Sequence, residues 1–306
     1  MYAHTLAKAF AFEHRPGSDR CRSRPAAVSH RREASMISLS RRTVTHLPET
    51  AWTSAKHFLE KQRPTRCGPT SEAVFDAVLK QYDKESVVFV HIGLSDIKTA
   101  LGEDPYETIL EKLRSSFETI LVPGFTKSFR TTGVFDLETT APELGAFSGL
   151  FFEDAEFRTP DPLHSILGEG PYRFEDCTVR DTFSPEGCYG QLSRDNVLCL
   201  NIGTPWFVST QLHYIERICN VPYVETVEID GELRANGTTT QITQRNYDKN
   251  NYLYFWNRLG LRDTLVANGV MDHYTLDGLN MLAVRAGEIQ EFLIPRIEAD
   301  PYYLVT

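Results

Sequence analysis

The chain lacks the cysteine patterns that mark a disulfide framework or a zinc site. Its six cysteines are scattered, none forms a Cys-x-x-Cys pair, and no Cys/His cluster has zinc-ligand spacing. Cys199 lies inside the apolar run NVLCLNIG, where a thiol packs as a small hydrophobe. The cysteine usage therefore favours a reduced cytoplasmic protein, and we predict no metal.

Long apolar runs and a basic surface are also missing. No run approaches the roughly 18 to 20 apolar residues that span a bilayer, and the formal net charge is -9. The first observation predicts no membrane partner, and the second disfavours binding to nucleic acid. An acidic surface suits solubility or a cationic ligand.

Several catalytic signatures are absent as well. There is no G-x-S-x-G elbow, no H-E-x-x-H zinc motif, and no P-loop or dinucleotide fingerprint. What is present is an ordinary globular composition of 306 residues, with 41% hydrophobic and 24% charged residues and no internal repeat or linker. A chain of this length buries a large core without disulfides.

The first 35 residues differ from the rest of the chain. They carry seven Lys/Arg against three Asp/Glu, and they show no hydrophobic periodicity after Phe12. We interpret residues 1–35 as a disordered leader, or as the product of a start assigned too early with Met36 as the true beginning. The folded domain is then predicted at residues 45–306.

Strand and helix signals alternate along this domain. SVVFVHIG, TILVPGF and NVLCLNIG are typical of strands buried on both faces. DPYETILEKLRSSF predicts a helix with Asp104 at the N-cap and Pro105 at the first helical position. The alternation predicts an α/β fold, a single domain with a central mixed β-sheet flanked by helices.

The C-terminal part of the chain gives two further structural expectations. TVEIDGELRANGTTTQITQRN predicts a hairpin excursion, with turn signals at Asp230-Gly231 and Asn236-Gly237. The tail LNMLAVRAGEIQEFLIPRIEADPYYL is predicted to be helical up to Pro295.

The stretch VSTQLHYIERICN places His213 and Glu216 three residues apart on a predicted helix, so that they are neighbours on one face. The helix N-terminus disfavours the imidazolium, and the carboxylate favours it. The two effects together can leave a neutral but basic imidazole near neutral pH, as a general base requires. The alternative at this stage is a polar pair at the edge of a packed helix.

Two loops also carry chemistry. In FVHIGLSDI a buried strand ends at His91, and the loop that follows lies where ligands bind in α/β sheets. Backbone N–H groups beside Gly93 and the hydroxyl of Ser95 suit a pyrophosphate, although an ordinary loop is an equal alternative. In FRTPDPLHSILGEG, two prolines fix the backbone around Asp161 and His164.

Together these stretches resemble the aminoglycoside 3-N-acetyltransferases and their relatives, a family that differs in fold from the GNAT acetyltransferases. The resemblance covers roughly residues 45–306, with its pieces in the same order. These pieces are Val90–Ser95, LVPGF, FDLETTAPELG, Arg158–Ser165 and Gly203–Glu216. Gly93 stands where members often carry serine, and Asp161 stands where drug-modifying members carry a histidine.

The resemblance implies transfer of an acetyl group from acetyl-CoA to a primary amine of an aminoglycoside or amino sugar. It implies that His213 is the general base and that Glu216 orients it. The donor site is then expected at His91, Gly93, Leu94, Ser95, Asp96, Arg158, Thr159 and Ser165. The acceptor site is expected at Asp136, Glu138, Asp161 and His164.

Several alternatives stay open. The departure at Asp161 points to an amino-sugar N-acyltransferase of a surface-polysaccharide or natural-product pathway. A non-catalytic carbohydrate-binding relative would bind sugar without CoA. A hydrolase of amides or thioesters would use Ser165 or Cys188 as its nucleophile. The partner is a small-molecule amine in the favoured interpretation, and a homodimer is an open alternative to a monomer.

Overall fold

The structure is a computed structural model that describes residues 30–32, 41–62, 67–204, 206–249 and 254–305. Its strands are β1 (His30–Arg32), β2 (Val87–Ile92), β3 (Thr119–Pro123), β4 (Val134–Asp136), β5 (Phe157–Arg158), β6 (Ile166–Glu169), β7 (Leu198–Ile202), β8 (Val224–Ala235), β9 (Thr238–Lys249), β10 (Met271–Leu276) and β11 (Leu279–Arg285). Its α-helices are α1 (Arg41–Gln62), α2 (Glu72–Leu79), α3 (Leu94–Leu101), α4 (Pro105–Ser116), α5 (Phe129–Thr132), α6 (Ala146–Asp154), α7 (Cys188–Arg194), α8 (Gln211–Ile218), α9 (Arg258–Ala267) and α10 (Ala286–Ala299).

The central sheet has seven strands in the order β10-β11-β7-β2-β3-β6-β5. β2 runs parallel to both β3 and β7, and the other pairings in this sheet are antiparallel. All five residues of β3 and of β7 are buried, as are the four inner residues of β2. The three predicted strands are therefore confirmed, and their apolar runs reflect burial on both faces.

Helices cover both faces of this sheet. Phe89 and Cys199 belong to one apolar core, which α8 and α10 help to form. Val88 and Val90 point into a second core, which α2 and α4 help to form. Successive strand residues alternate between the faces, so one strand contributes to both cores. The predicted mixed sheet flanked by helices is confirmed.

A second sheet is built on the β8–β9 hairpin, whose strands have 12 residues each. Asn236 and Gly237 form its turn, with φ angles of 50° and 72° that suit a two-residue hairpin turn. The predicted turn at Asp230-Gly231 is wrong, because both residues lie inside β8. A Cβ on Gly231 would stand 2.4 Å from the carbonyl oxygen of Gly133, so a close backbone contact requires glycine here.

The predicted helical tail is wrong at both ends. Residues 279–285 form β11, which pairs with β7 and β10 inside the sheet. The helix α10 begins at Ala286 and continues through Pro295 to Ala299. Leu293 and Ile297 flank the proline and are buried, and this packing outweighs the local cost of proline in a helix.

A short part of the predicted leader, residues 30–32, is described in the structure. His30–Arg32 pairs with β8, with His30 opposite Ile229, so part of the excluded segment contributes a short strand. Residues 1–29 and 33–35 lie outside the described residues. None of the helices in the described part of the chain is both long and apolar enough to cross a bilayer.

Candidate active site

The pair His213 and Glu216 lies on α8, the helix that follows β7 along the chain. The Nδ1 atom of His213 stands 3.2 Å from Oε2 of Glu216. The two atoms are not aligned for a hydrogen bond, and Oε2 has no hydrogen-bond partner in the described part of the chain. The Glu216 side chain is 0% exposed and that of His213 is 28% exposed. The alternative interpretation of this pair, a polar pair at the solvated edge of a packed helix, does not agree with the structure, because the Glu216 carboxylate is fully buried.

Two residues from outside α8 contact the other carboxylate oxygen. Trp256 donates its indole N–H to Oε1 of Glu216 at 2.5 Å, and the Nζ atom of Lys249 lies 3.7 Å from the same oxygen. Burial raises the pKa of Glu216, but Lys249, His213 and Trp256 outweigh burial and leave this pKa below its usual value. Glu216 is therefore an ionised carboxylate inside the core.

Lys249 and Trp256 are functional candidates that sequence reasoning missed. The Nζ atom of Lys249 stands 3.5 Å from the centre of the Trp256 ring, and the Lys249 side chain is only 4% exposed. Burial lowers the pKa of Lys249 to about 7, the nearby Glu216 carboxylate opposes this shift, and Arg258 adds to it. No local motif marks either residue, since both reach Glu216 only through the fold.

Aromatic rings enclose the imidazole of His213. Its ring centre lies 4.5 Å from Trp256, 5.5 Å from Phe183 and 6.4 Å from His164. Burial lowers the pKa of His164 well below its usual value, and the neighbouring His213 and Arg130 add to the effect. Among the predicted acceptor residues, His164 is therefore the one whose side chain the structure brings next to the pair.

Arg158 is held inside the protein. Its Nε atom donates to the Ser165 hydroxyl at 2.9 Å, and its terminal nitrogens donate to the carbonyl oxygens of Thr140 and Gly124 at 2.5 and 2.8 Å. Burial lowers the pKa of Arg158 to about 10. The hydroxyls of Ser165 and Thr159 are likewise engaged with main-chain atoms. These side chains brace the loop, and their contacts leave no guanidinium free for a CoA phosphate.

Asp161 is also held by internal contacts. Its Oδ1 atom accepts the backbone N–H groups of Leu163 and His164 at 2.8 and 2.9 Å. Its Oδ2 atom accepts from the Thr182 hydroxyl at 2.7 Å and the Gln244 amide at 3.3 Å. Burial raises the pKa of Asp161, and these hydrogen bonds oppose the shift. The carboxylate thus shapes the loop that holds His164 rather than facing an acceptor ammonium.

Asp136 is the last residue of β4, and Glu138 lies in the region that follows this strand. Oδ1 of Asp136 accepts backbone N–H groups from Glu138 and Thr139 at 3.1 and 2.9 Å. Oε1 of Glu138 accepts the backbone N–H of Asn236 at 2.8 Å, which ties this region to the hairpin turn. In the described part of the chain, the hydrogen bonds of these two carboxylates are made within this outer region and not with His213.

The predicted donor segment is a strand end that runs directly into a helix. β2 ends at Ile92, Gly93 is the N-cap of α3, and Leu94, Ser95 and Asp96 form the first turn of that helix. His91 is buried opposite Asn201 of β7, and neither ring nitrogen of His91 has a hydrogen-bond partner in the described chain. The Nδ2 atom of Asn201 is likewise unpartnered there.

These unpartnered polar atoms make the end of β2 a candidate ligand site. Burial lowers the pKa of His91 to about 4, and Arg258 adds to the shift, so its imidazole is neutral at physiological pH. Buried polar groups without partners are uncommon in folded proteins, and this pair sits where α/β sheets bind ligands. The residues present therefore fit the polar part of a bound substrate.

The two nucleophiles of the hydrolase alternative are both buried. Ser165 is 0% exposed, and its hydroxyl donates to the Gly124 carbonyl oxygen at 2.6 Å. Cys188 is 7% exposed, and both its contact with the Cys177 thiol and its burial raise its pKa. A protonated, buried thiol is a poor nucleophile, so neither group suits covalent hydrolysis.

Comparison with known proteins agrees with this geometry. The profile of the family described as aminoglycoside 3-N-acetyltransferase matches residues 89–298, more than half of the chain. A search of curated proteins finds no match.

Solved structures of similar fold come from aminoglycoside acetyltransferases. One, "AAC-IIIb binary with CoASH", is 17% identical, covers 77% of this chain and 97% of its own, and has a TM-score of 0.61. AAC(3)-Xa is 18% identical, with coverages of 83% and 98% and a TM-score of 0.60. "AAC-VIa bound to Sisomicin" is 18% identical, with coverages of 76% and 98% and a TM-score of 0.60. The chain belongs to the aminoglycoside 3-N-acetyltransferase family and is an acetyl-CoA-dependent N-acetyltransferase.

Proposed function

We propose that the protein transfers an acetyl group from acetyl-CoA to a primary amine of an aminoglycoside or amino sugar, with His213 as the general base. The observation that carries this proposal is the 3.2 Å contact between Nδ1 of His213 and a fully buried carboxylate, on an imidazole that is 28% exposed. The relatives named with CoASH and with sisomicin support the two substrate classes.

The chemistry follows from the state of the acceptor. A primary amine arrives largely as ammonium and must lose a proton before its nitrogen attacks the thioester carbonyl carbon. Because Nδ1 of His213 faces Glu216, Nε2 is the ring nitrogen that takes this proton. As the C–N bond forms, the C–S bond breaks and its electron pair goes to the CoA sulfur, which the second amine proton neutralises. No acyl-enzyme is needed, because the amine is itself a good nucleophile.

The donor is proposed to lie along the segment from His91 to Asp96. Backbone N–H groups in the first turn of α3 suit its phosphates, and the unpartnered nitrogens of His91 suit its polar groups. Arg158, Thr159 and Ser165 would act on the donor only through the loop that they brace.

The acceptor is proposed to approach beside His164. Asp161 would influence its choice through the shape of the loop, because both of its oxygens are engaged internally. Asp136 and Glu138 remain candidates for further ammonium groups of a long acceptor. An amino-sugar acceptor and an aminoglycoside share the reacting amine, and a screen of both classes with detection of the released thiol separates them.

The decisive variant is His213→Ala. Turnover should fall by about 10² to 10⁴, the usual contribution of a general base, while calorimetry should show unchanged affinity for CoA. Raising the pH should partly restore turnover, since more acceptor is then free amine. His273→Ala is the matched control, because His273 is exposed on β10.

Glu216→Gln tests the orienting carboxylate. It should cost less turnover than His213→Ala and should move the acid limb of the pH–rate profile to lower pH, because the imidazolium loses its anionic partner. The double variant should be little worse than His213→Ala, since residues that act together are not additive. A well-folded His213→Ala protein with near-native turnover would show that His213 is not the base. Sugar binding without CoA binding and without thiol release would favour the non-catalytic relative.

A further inference from the structure

The Glu216 carboxylate faces two basic side chains and not one. His213 stands at Oε2, 3.2 Å away, and Lys249 stands at Oε1, 3.7 Å away. Both bases contact a side chain that is 0% exposed, and burial strengthens these interactions relative to those at the surface. A catalytic pair alone does not require the lysine.

Lys249 is held at this place by more than the ion pair. It is the last residue of β9, its strand partner is Val224, and its ammonium lies 3.5 Å from the centre of the Trp256 ring. A desolvated ammonium over an indole face is favourable. Trp256 in turn donates its N–H to Oε1 of Glu216, so one residue positions both the lysine and the carboxylate.

We propose that Lys249 is a positioning residue for this reaction: its ammonium neutralises the buried Glu216 carboxylate and so limits how strongly that carboxylate draws a proton onto His213. The proposal rests on His213 being the base of the proposed function. With Lys249 charged, the Glu216–Lys249 pair is neutral, and the carboxylate draws a proton onto His213 less strongly.

The surrounding charges are consistent with this role. Glu216 also faces the Tyr223 hydroxyl and the Trp256 indole, which are both neutral. Arg258 lies near Lys249, with its guanidinium carbon 5.4 Å from the centre of the Trp256 ring. His164 faces His213 from the opposite side and is itself kept neutral by burial. Lys249 is therefore the buried cation that contacts the carboxylate most directly among the described residues outside α8.

The test is Lys249→Met, which keeps the length of the side chain and removes its charge. The acid limb of the pH–rate profile should move to higher pH by about one unit, the usual effect of one nearby charge. Turnover at neutral pH should then fall by up to about tenfold, recover at higher pH, and leave KM for acetyl-CoA unchanged. Lys249→Arg should restore the native profile.

Lys112→Met is the matched control. Lys112 of α4 is 12% exposed and pairs with Glu72 and Asp76 of α2, so its loss should leave the pH profile in place. If Lys249→Met fails to fold, Lys249→Gln provides the same removal of charge with a polar end.

A second readout does not depend on activity. The imidazole C–H signals of His213, assigned by comparison with His213→Gln, can be followed by NMR as the pH changes. In Lys249→Met, His213 should take up its proton at a pH about one unit higher than in the native protein. This measurement stands even if no amine acceptor is found, and so separates the failure of this proposal from the failure of the proposed function.

Three results would overturn the proposal. A uniform loss of turnover at every pH, without a change in the His213 titration, would give Lys249 a purely structural role. A shift of the acid limb to lower pH would mean that Glu216 becomes protonated when the lysine is removed. A loss larger than about 10² that high pH does not restore would make Lys249 itself the base.

Discussion

His91, His164 and Lys249 carry nitrogens that burial discourages from taking up protons. Burial lowers the pKa of His91 to about 4 and that of Lys249 to about 7, and it lowers the pKa of His164 well below its usual value. His164 and Lys249 flank the pair, with the His164 ring centre 6.4 Å from that of His213 and Nζ of Lys249 3.7 Å from Oε1 of Glu216. A neutral His164 adds no positive charge beside His213, whereas Lys249 in its charged form offsets the Glu216 carboxylate.

The pKa of His91 predicts a dependence of stability on pH. Its folded value of about 4 lies below the ordinary 6.5, so the unfolded chain binds more protons between these values. The corresponding stability is present above pH 6.5 and is lost as the pH falls towards 4. Between pH 7 and 5 the loss is about 2 kcal/mol for this residue.

His91→Leu should remove this part of the acid sensitivity. Urea unfolding at pH 7 and pH 5 should show a difference in the free energy of unfolding that is smaller by about 2 kcal/mol in the variant than in the native protein. His273→Leu, at an exposed site, is the control and should keep the native difference. If all three proteins lost the same free energy of unfolding between pH 7 and pH 5, His91 would be protonated in the folded state.

At the scale of the elements, the ends of β2 and β7 approach each other too closely for side chains. A Cβ on Gly93 would stand 2.1 Å from the carbonyl oxygen of Gly203. The N–H of Gly93 donates to the carbonyl oxygen of Ile202 at 2.8 Å, and Gly203 has a φ of 67°. The departure from the serine that family members often carry at this position therefore has a physical reason in this chain. The close crossing fixes where α3 begins.

Gly93→Ala should consequently destabilise the protein. The clash is with backbone, which cannot rotate away, so we expect a loss of about 1–3 kcal/mol and weaker binding of CoA at the start of α3. Gly149→Ala is the control, because Gly149 lies in α6 with no atom within 4 Å of the added Cβ. It should be neutral or stabilising by about 0.5–1 kcal/mol. Chemical denaturation of both variants provides the measurement, and equal stabilities would contradict the predicted clash.

At the scale of the whole molecule, the candidate active site is assembled from elements of both sheets. α8 follows β7 of the central sheet and carries His213 and Glu216, whereas Lys249 ends β9 of the second sheet. Arg130 of α5 bonds to Asp248 through two hydrogen bonds of 2.7 and 2.6 Å, one residue before this lysine. The position of the hairpin therefore determines where the lysine stands.

The N-terminal strand tests how much of the second sheet the reaction needs. Deletion of residues 1–29 keeps β1, whereas deletion of residues 1–35 removes it from the edge of β8. We expect native turnover in both proteins, because β1 pairs with Val227–Ile229 of β8, whereas Lys249 lies opposite Val224. Only the longer deletion should lose stability, by about 1–2 kcal/mol for its lost backbone hydrogen bonds. Thermal unfolding and thiol-release assays check this, and a loss of turnover confined to the longer deletion would show that β1 supports the site.

Sequence alone determined the parts of this protein whose signals are local. Apolar runs predicted β2, β3 and β7, since burial on both faces leaves no polar alternation. The spacing of three predicted that His213 and Glu216 would meet, because helix geometry places such residues on one face. Two other local signals gave wrong predictions. The apolar run of β11 was predicted to be helical, and Asp230-Gly231 was predicted to be a turn. The contacts that decide these two structures are with β7 and with Gly133, which are distant in sequence.

Only the tertiary structure decided which polar side chains face a ligand and which face the protein. Arg158 and Asp161 have the chemistry to bind a phosphate and an ammonium, yet backbone groups brought by the fold occupy them. Lys249 and Trp256 carry no motif, yet the fold brings both to the buried Glu216 carboxylate. The reason is physical: a charge acts through its distance to other charges and its exposure to water, and both are fixed by segments far apart in the chain.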